Sequence, residues 1–242
     1  MVKERNDNRN FFLILNYIIM EAIINKKKVS QFPGINALRL GAVFFCIIWL
    51  YLYKTAQDHT DWWIENILVI LFFAWLFFSR RRFVFSDTSL VFIFGFLVLH
   101  LYGAQGAYTH NGFGELLKAH FHLWRNPYDR IVHFSFGFLM AYPMLDIFSR
   151  WLGKERKGLF LTVNMAILSL ATIFELIEWG VAAFTDKATG ETYVATQGDP
   201  WDAQKDIIMA LIGSLIFTAA LKITRSRATN REVSTVKLDA QL

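Results

Sequence analysis

Long apolar runs separated by short charged blocks constrain this chain more than any other feature. A helix needs about 20 mostly apolar residues to cross the hydrocarbon core of a bilayer, and six segments approach or meet that length: Ile35–Tyr53, Trp62–Phe78, Thr88–Ala107, Ile131–Phe148, Leu159–Phe184 and Asp206–Ile223. Only 19% of the 242 residues are charged, against 55% hydrophobic and 17% aromatic, and the charges fall between the runs. The pattern predicts an all-α fold: a polytopic transmembrane helical bundle with six spans, occupying residues 35–225. Residues 1–34 precede it as an interfacial or cytoplasmic segment, and a polar tail, expected to be disordered, follows from Ser226 to Leu242. Phe11–Ile24 is short for a crossing and carries Asn16 and Glu21. It reads as an interfacial helix, with a seventh crossing as the alternative.

Orientation follows from the distribution of basic residues. Lys26–Lys28 precede the first span, Arg80–Arg82 follow the second, Arg150, Lys154, Arg156 and Lys157 follow the fourth, and Lys222, Arg225, Arg227 and Arg231 follow the sixth. The alternate connections are poorer in base. Both termini are therefore expected in the cytoplasm, and the formal net charge of +5 is explained by orientation in a membrane, with no nucleic-acid partner required. Trp62, Trp63, Trp124, Tyr128, Tyr193 and Trp201 fall where an outer aromatic belt belongs. The lone cysteine, Cys46, excludes an intrachain disulfide.

Topology then gathers the ionisable residues at one end. His100 lies two-thirds along the third span, Asp129 and His133 open the fourth, Glu175 and Glu178 sit near the end of the fifth, and Asp199, Asp202 and Asp206 lead into the sixth. Ionisable groups at membrane depth are costly and point to function. Asp129 and His133 share a helix face at i,i+4, as do Asp202 and Asp206, while Glu175 and Glu178 are i,i+3. Two entries into the membrane are alike: Asn126-Pro127-Tyr128-Asp129 before His133, and Asp199-Pro200-Trp201-Asp202 before Asp206. Helix capping explains Asn126, Pro127, Asp199 and Pro200. It does not explain His133, Glu175, Glu178 or Asp206.

As catalytic candidates we take His133, Glu175, Glu178, Asp206 and Asp129. As metal ligands, Asp129, His133, Glu175, Glu178, Asp202 and Asp206 form a mostly hard, oxygen-rich set suited to Mg²⁺, Mn²⁺ or Ca²⁺, or to zinc through histidine. Without a metal, crowded carboxylates serve as general acid and base. Arg125 and Arg130 either grip a phosphate or neutralise neighbouring acids. His110, His120 and His122 are expected to be solvated, Pro143 to kink the fourth span, and Gly213 to permit close helix contact. No nucleophile motif, phosphate loop or thiol pair is present.

Several stretches resemble the YjdF-like family of bacterial inner-membrane proteins, whose molecular function is not established. They are His100-Leu101-Tyr102-Gly103-Ala104, Arg125-Asn126-Pro127-Tyr128-Asp129-Arg130 running into His133-Phe134-Ser135-Phe136-Gly137, Glu175-Leu176-Ile177-Glu178-Trp179, and Thr196 through Asp206. The resemblance covers about residues 35–225 and implies a multi-pass protein of the inner membrane. A fainter resemblance is to VanZ-like membrane proteins, carried by Asp129, His133-Phe134, Glu175, Asp206 and Gly213, with Ala210 where that pattern has Asn.

Three functions fit these residues. The first is a membrane-embedded, metal-dependent enzyme acting at the outer leaflet on a lipid-linked or envelope precursor. The second is a transporter or ion pathway using the same carboxylates, which the apolar inner halves of the spans disfavour. The third is a non-catalytic scaffold locked by its polar cluster.

Overall fold

The structure is a computed structural model that describes residues 35–79, 84–153, 157–185, 190 and 193–239. The expected interfacial helix at Phe11–Ile24 and the basic clusters at Lys26–Lys28 and Arg80–Arg82 lie outside the described residues, as do Lys154 and Arg156.

Seven helices are described, with no strand among the described residues: α1 (Ile35–Lys54), α2 (His59–Ser79), α3 (Asp87–Gln105), α4 (Gly112–Phe121), α5 (Tyr128–Leu152), α6 (Leu159–Phe184) and α7 (Asp202–Asp239). Five stretches are long and apolar enough to cross a membrane: α2, α3, α5, α6 and residues Asp202–Thr224 of α7. α1 has 20 residues, of which Gly41–Lys54 is a shorter apolar helix. α6 begins and ends where the hydropathy alone places it. α2, α3, α5 and α7 start one to four residues earlier than expected, because polar residues such as His59 and Asp202 form the first turn. α7 also continues as helix to Asp239, beyond the point at which the polar sequence from Ser226 suggests a disordered tail. Extending an existing helix costs far less than nucleating one, so polar residues can follow an apolar template. α5 passes through Pro143 without interruption.

α5 is the hub: it packs on α3, α6 and α7, while α1 and α2 pack on α3. The α5–α7 seam is the tightest. A Cβ at Gly137 would collide with the backbone carbonyl of Ala210, and one at Gly213 would collide with that of Phe134. Small residues here let the two backbones touch, the usual basis of helix association in lipid. Outward-facing side chains are large and apolar, including Phe44, Leu71, Phe78, Trp151, Leu161 and Phe184. Exposure of this kind suits lipid and not water.

Polar contacts inside the bundle lie at three levels. At one end, Asp146 of α5 accepts from Ser86 N, Ser89 Oγ and Arg150, tying the start of α3 to α5. At middle depth, Asn164 of α6 bonds Ser214 and Thr218 of α7 at 2.7 and 3.1 Å. Charged groups gather at the opposite end, where residues 55–58, 106–127 and 193–201 meet.

Candidate metal and acid–base centre

The connections at this end fix the helix ends before any charged side chain is considered. Asn126 Oδ1 accepts from Tyr128 N at 3.0 Å, and Asp199 Oδ1 accepts from Trp201 N at 3.1 Å. The two Pro-containing entries thus form the same local turn, in which a short polar side chain caps the backbone two residues on. Helix α5 starts at Tyr128, so Pro127 immediately precedes the helix. The entries are also tied together. Gln197, held in a left-handed conformation, accepts from Asn126 N at 2.9 Å and donates to Asn126 O at 3.1 Å.

Two layers of charge sit on this frame. The upper layer is compensated. Arg125, 3% exposed, bonds Asp202 and lies 3.9 Å from Asp199 and 3.7 Å from Asp129. Arg130 reaches Asp199 at 2.5 Å and Asp202 at 3.2 Å, and Lys205 reaches Asp199 at 2.6 Å. Both guanidiniums are therefore engaged by carboxylates, which answers the choice between a phosphate grip and neutralisation in favour of the latter. The Lys205 ammonium, with help from Arg130 and the Trp201 N–H, outweighs burial and holds the Asp199 carboxyl down at about 2.

The lower layer is only loosely paired: Arg125 lies 3.7 Å from Asp129, and Arg130 Nε, itself without a hydrogen-bond partner, lies 4.0 Å from Asp206 Oδ1. Asp129, His133 and Asp206, all buried, place one ligand atom each within 4.8 Å of one another. His133 Nε2 stands 3.5 Å from Asp129 Oδ1 and 3.4 Å from Glu175 Oε1. Asp206 is 2% exposed, yet its Oδ1 has no hydrogen-bond partner; neither has Glu175 Oε1. The nearest guanidinium nitrogen to Asp206 is Arg130 Nε at 4.0 Å. Burying an ionisable group at membrane depth costs about 2.5–3.5 kcal/mol even on lenient scales, so unfilled acceptor positions mark a cation-shaped deficit. The donor set of two Asp, one His and an adjacent Glu fits a divalent ion of the Mn²⁺, Zn²⁺ or Mg²⁺ kind.

A cavity of about 500 Å³ adjoins this layer between the end of α6 and the start of α7. Glu175, Glu178, Asp202 and Asp206 line it, together with Trp179 and Thr196. Trp179 and Trp201 are about two-thirds exposed beside it. On the side facing the middle of the bundle, the Gly137–Ala210 and Gly213–Phe134 contacts lie one to two turns below Asp206 and His133. Below the site, α5 and α7 are thus in direct backbone contact.

The six residues expected as metal ligands separate into groups. Asp129, His133, Asp206 and Glu175 converge; Glu178 is half-buried on the cavity wall; Asp202 belongs to the arginine-compensated layer. His110, His120 and His122 are exposed, and the last two lie at the end of helix α4 where a loop is expected.

Sequence reasoning missed Glu65. It is 4% exposed on α2, and Oε2 has no hydrogen-bond partner. Its backbone carbonyl lies 3.3 Å from His100 Nε2, and His100 Nδ1 lies 2.7 Å from the Tyr108 hydroxyl. Burial holds the Tyr108 phenol well above its usual range, so it remains a donor. Donation to Nδ1 leaves Nε2–H to donate to Glu65, which fixes one histidine tautomer. Positive φ at Ala107 and Tyr108 folds Tyr108 back over Gly103, where a Cβ would strike the phenol ring. The available signal was a carboxylate within the first two turns of an apolar span.

Comparison with known proteins agrees with this architecture. Residues 36–227 match a family described as "Predicted membrane protein (DUF2238)". The chain is 30% identical over 179 residues to "Inner membrane protein YjdF" of Escherichia coli (strain K12), covering 74% of this chain and 85% of that protein. No solved structure matches.

Proposed function

This chain belongs to the DUF2238 family of predicted membrane proteins, and from that premise we propose a multi-pass bacterial inner-membrane enzyme that works at a divalent metal site on the outer face. Six spans, with α1 as the first and both termini cytoplasmic, would put the site end outside, as the basic residues require.

The observation that carries the reading is the unpartnered Asp206 Oδ1 within the Asp129–His133–Asp206 cluster. Asp129, His133 and Asp206 would hold the ion, with Glu175 beside His133. A bound ion there would polarise a substrate oxygen or lower the pKa of a water molecule. Glu175 and Glu178, on the cavity wall, would take and return the proton.

The adjoining cavity supports a substrate with a polar head and an apolar anchor, such as a lipid-linked or envelope precursor. Its wall is acidic and its flank carries Trp179 and Trp201, side chains that favour the membrane interface. The transport reading is disfavoured by the apolar inner halves of the spans and by the backbone contact of α5 with α7 at Gly137 and Gly213 below the site. A purely structural lock would leave the Asp206 Oδ1 and Glu175 Oε1 acceptors without a role.

The test is elemental analysis of detergent-purified protein beside a His133→Ala, Glu175→Ala double variant, after equilibration with Mg²⁺, Mn²⁺ or Zn²⁺. Stoichiometric metal in the parent, lost in a folded variant, supports the site. Equal, substoichiometric metal in both proteins under every condition overturns it.

A further inference from the structure

The cavity beside the metal cluster has walls of one sign of charge. On α6 it is lined by Glu175, Glu178, Trp179 and Ala182. That spacing is one face of a helix, so two carboxylates, an indole and a small side chain follow one another toward the C-terminal end of α6. The facing wall supplies Asp199, Asp202 and Asp206. No lysine or arginine is among the lining residues.

Part of this charge already has a counterpart. Asp199 and Asp202 are held by Arg125, Arg130 and Lys205, and an ion at Asp129, His133 and Asp206 would balance the two aspartates there. Glu175 and Glu178 remain. Among the described residues neither forms an ion pair with a lysine or arginine, and Glu175 has only His133 beside it, at 3.4 Å. Glu175 is 8% exposed, lines the cavity, and has an Oε1 without a hydrogen-bond partner. A buried acceptor of that kind calls for a donor from the cavity side. One turn on, Trp179 offers an indole face, the aromatic surface that attracts a cation most strongly. A volume of about 500 Å³ accommodates a small head group and the start of a chain.

We infer that this cavity is a site for an organic ammonium group, seated between Glu175, Glu178 and the Trp179 indole, so that the substrate is cationic at the part that enters. The inference rests on reading the cavity as the substrate site of the proposed enzyme. It narrows the substrate class, because an anionic group placed against this wall would meet carboxylates and no basic side chain. An amine-bearing lipid and a water-soluble amine both carry an ammonium, and the experiment separates them.

The full chain in neutral detergent, equilibrated with Mn²⁺, is titrated calorimetrically with octylammonium, butylammonium and octyl sulfate, an anion that holds metals weakly. We expect octylammonium to bind at least about tenfold more tightly than octyl sulfate. Glu178→Gln should weaken octylammonium by about tenfold and Trp179→Ala by about threefold. The exposed Asp87→Asn, at the opposite end, should bind like the parent. Butylammonium as tight as octylammonium assigns the group to a water-soluble amine, and tighter octylammonium assigns it to a lipid. Thermal unfolding confirms that each variant is folded; if Glu178→Gln is not, Trp179→Ala, whose side chain is largely exposed, decides. Octyl sulfate as tight as octylammonium overturns the inference, as does equal uptake of octylammonium by the parent and the folded variants. Displacement of octylammonium by Mn²⁺ also overturns it, since the ammonium would then occupy the metal cluster itself. Mn²⁺ uptake without a preference for ammonium sinks this inference alone. A preference for ammonium without Mn²⁺ uptake sinks the metal reading alone.

Discussion

Asp206 on α7 and His133 on α5 bring ligand atoms to within 4.8 Å of each other, yet the buried Oδ1 of Asp206 has no hydrogen-bond partner. Such an acceptor stores instability until something fills it. Asp206→Asn should therefore stabilise the metal-free protein, by about 1–3 kcal/mol, the usual cost of an unmet buried polar group. The same change should abolish metal uptake. Thermal unfolding in chelator, followed by metal analysis, checks both halves. A fall in stability would mean that Asp206 is a lock.

Arg125 has the opposite character. It is 3% exposed and is shared by Asp202, Asp199 and Asp129. Arg125→Ala should cost about 3–5 kcal/mol, because it strands buried carboxylates without a counter-charge. The Arg125→Ala, Asp202→Ala double variant should recover part of that loss. Comparison of the single and double variants by detergent unfolding measures the coupling.

Gly137 and Gly213 set the distance between α5 and α7. Gly137→Ala or Gly213→Ala must push a backbone aside, since the clash is with a main-chain carbonyl in each case. Overpacking of this kind costs about 1–3 kcal/mol. Because both contacts lie beneath the site, metal affinity should fall alongside stability. Gly180, with open space around its Cβ position, serves as the neutral comparison.

Acid should release the loop before it disturbs the spans. The Asp199 carboxyl is held at about 2, chiefly by Lys205, against an ordinary value of 3.8. A depressed carboxyl contributes stability above its unfolded value and loses it as pH falls through the folded one. The window is therefore pH 4 down to 2. Asp199→Asn should flatten the pH dependence of stability across that window and leave it unchanged above pH 5, as followed by unfolding at stepped pH.

The helical bundle was legible because its signal is long and redundant. α6 could be bounded to the residue, and the convergence of Asp129, His133, Glu175 and Asp206 followed from antiparallel neighbours at matching depth. What escaped was carried by single residues. Glu65 sits two turns into an apolar helix whose start the hydropathy placed three residues late, and no motif or spacing singles it out. Asn164, Ser214 and Thr218 form a buried polar contact that no periodicity announces. The pairing of Arg125 with Asp202 spans 77 positions, and the loop that also meets Arg125 through the Thr196 carbonyl carries left-handed residues at Ala195 and Gln197. Charge arithmetic alone left those arginines free to grip a phosphate, and only their proximity to three acids shows them occupied.

The contact of Gly137 with Ala210 would have a consequence for turnover at the proposed site. A cavity reached from that end alone would have a shared entrance and exit, so each departing molecule would occupy the path of the next arrival. Spent ligand would then compete with fresh ligand on equal terms, and the pace of such a protein would be governed by clearance of the mouth beside Trp179 and Trp201.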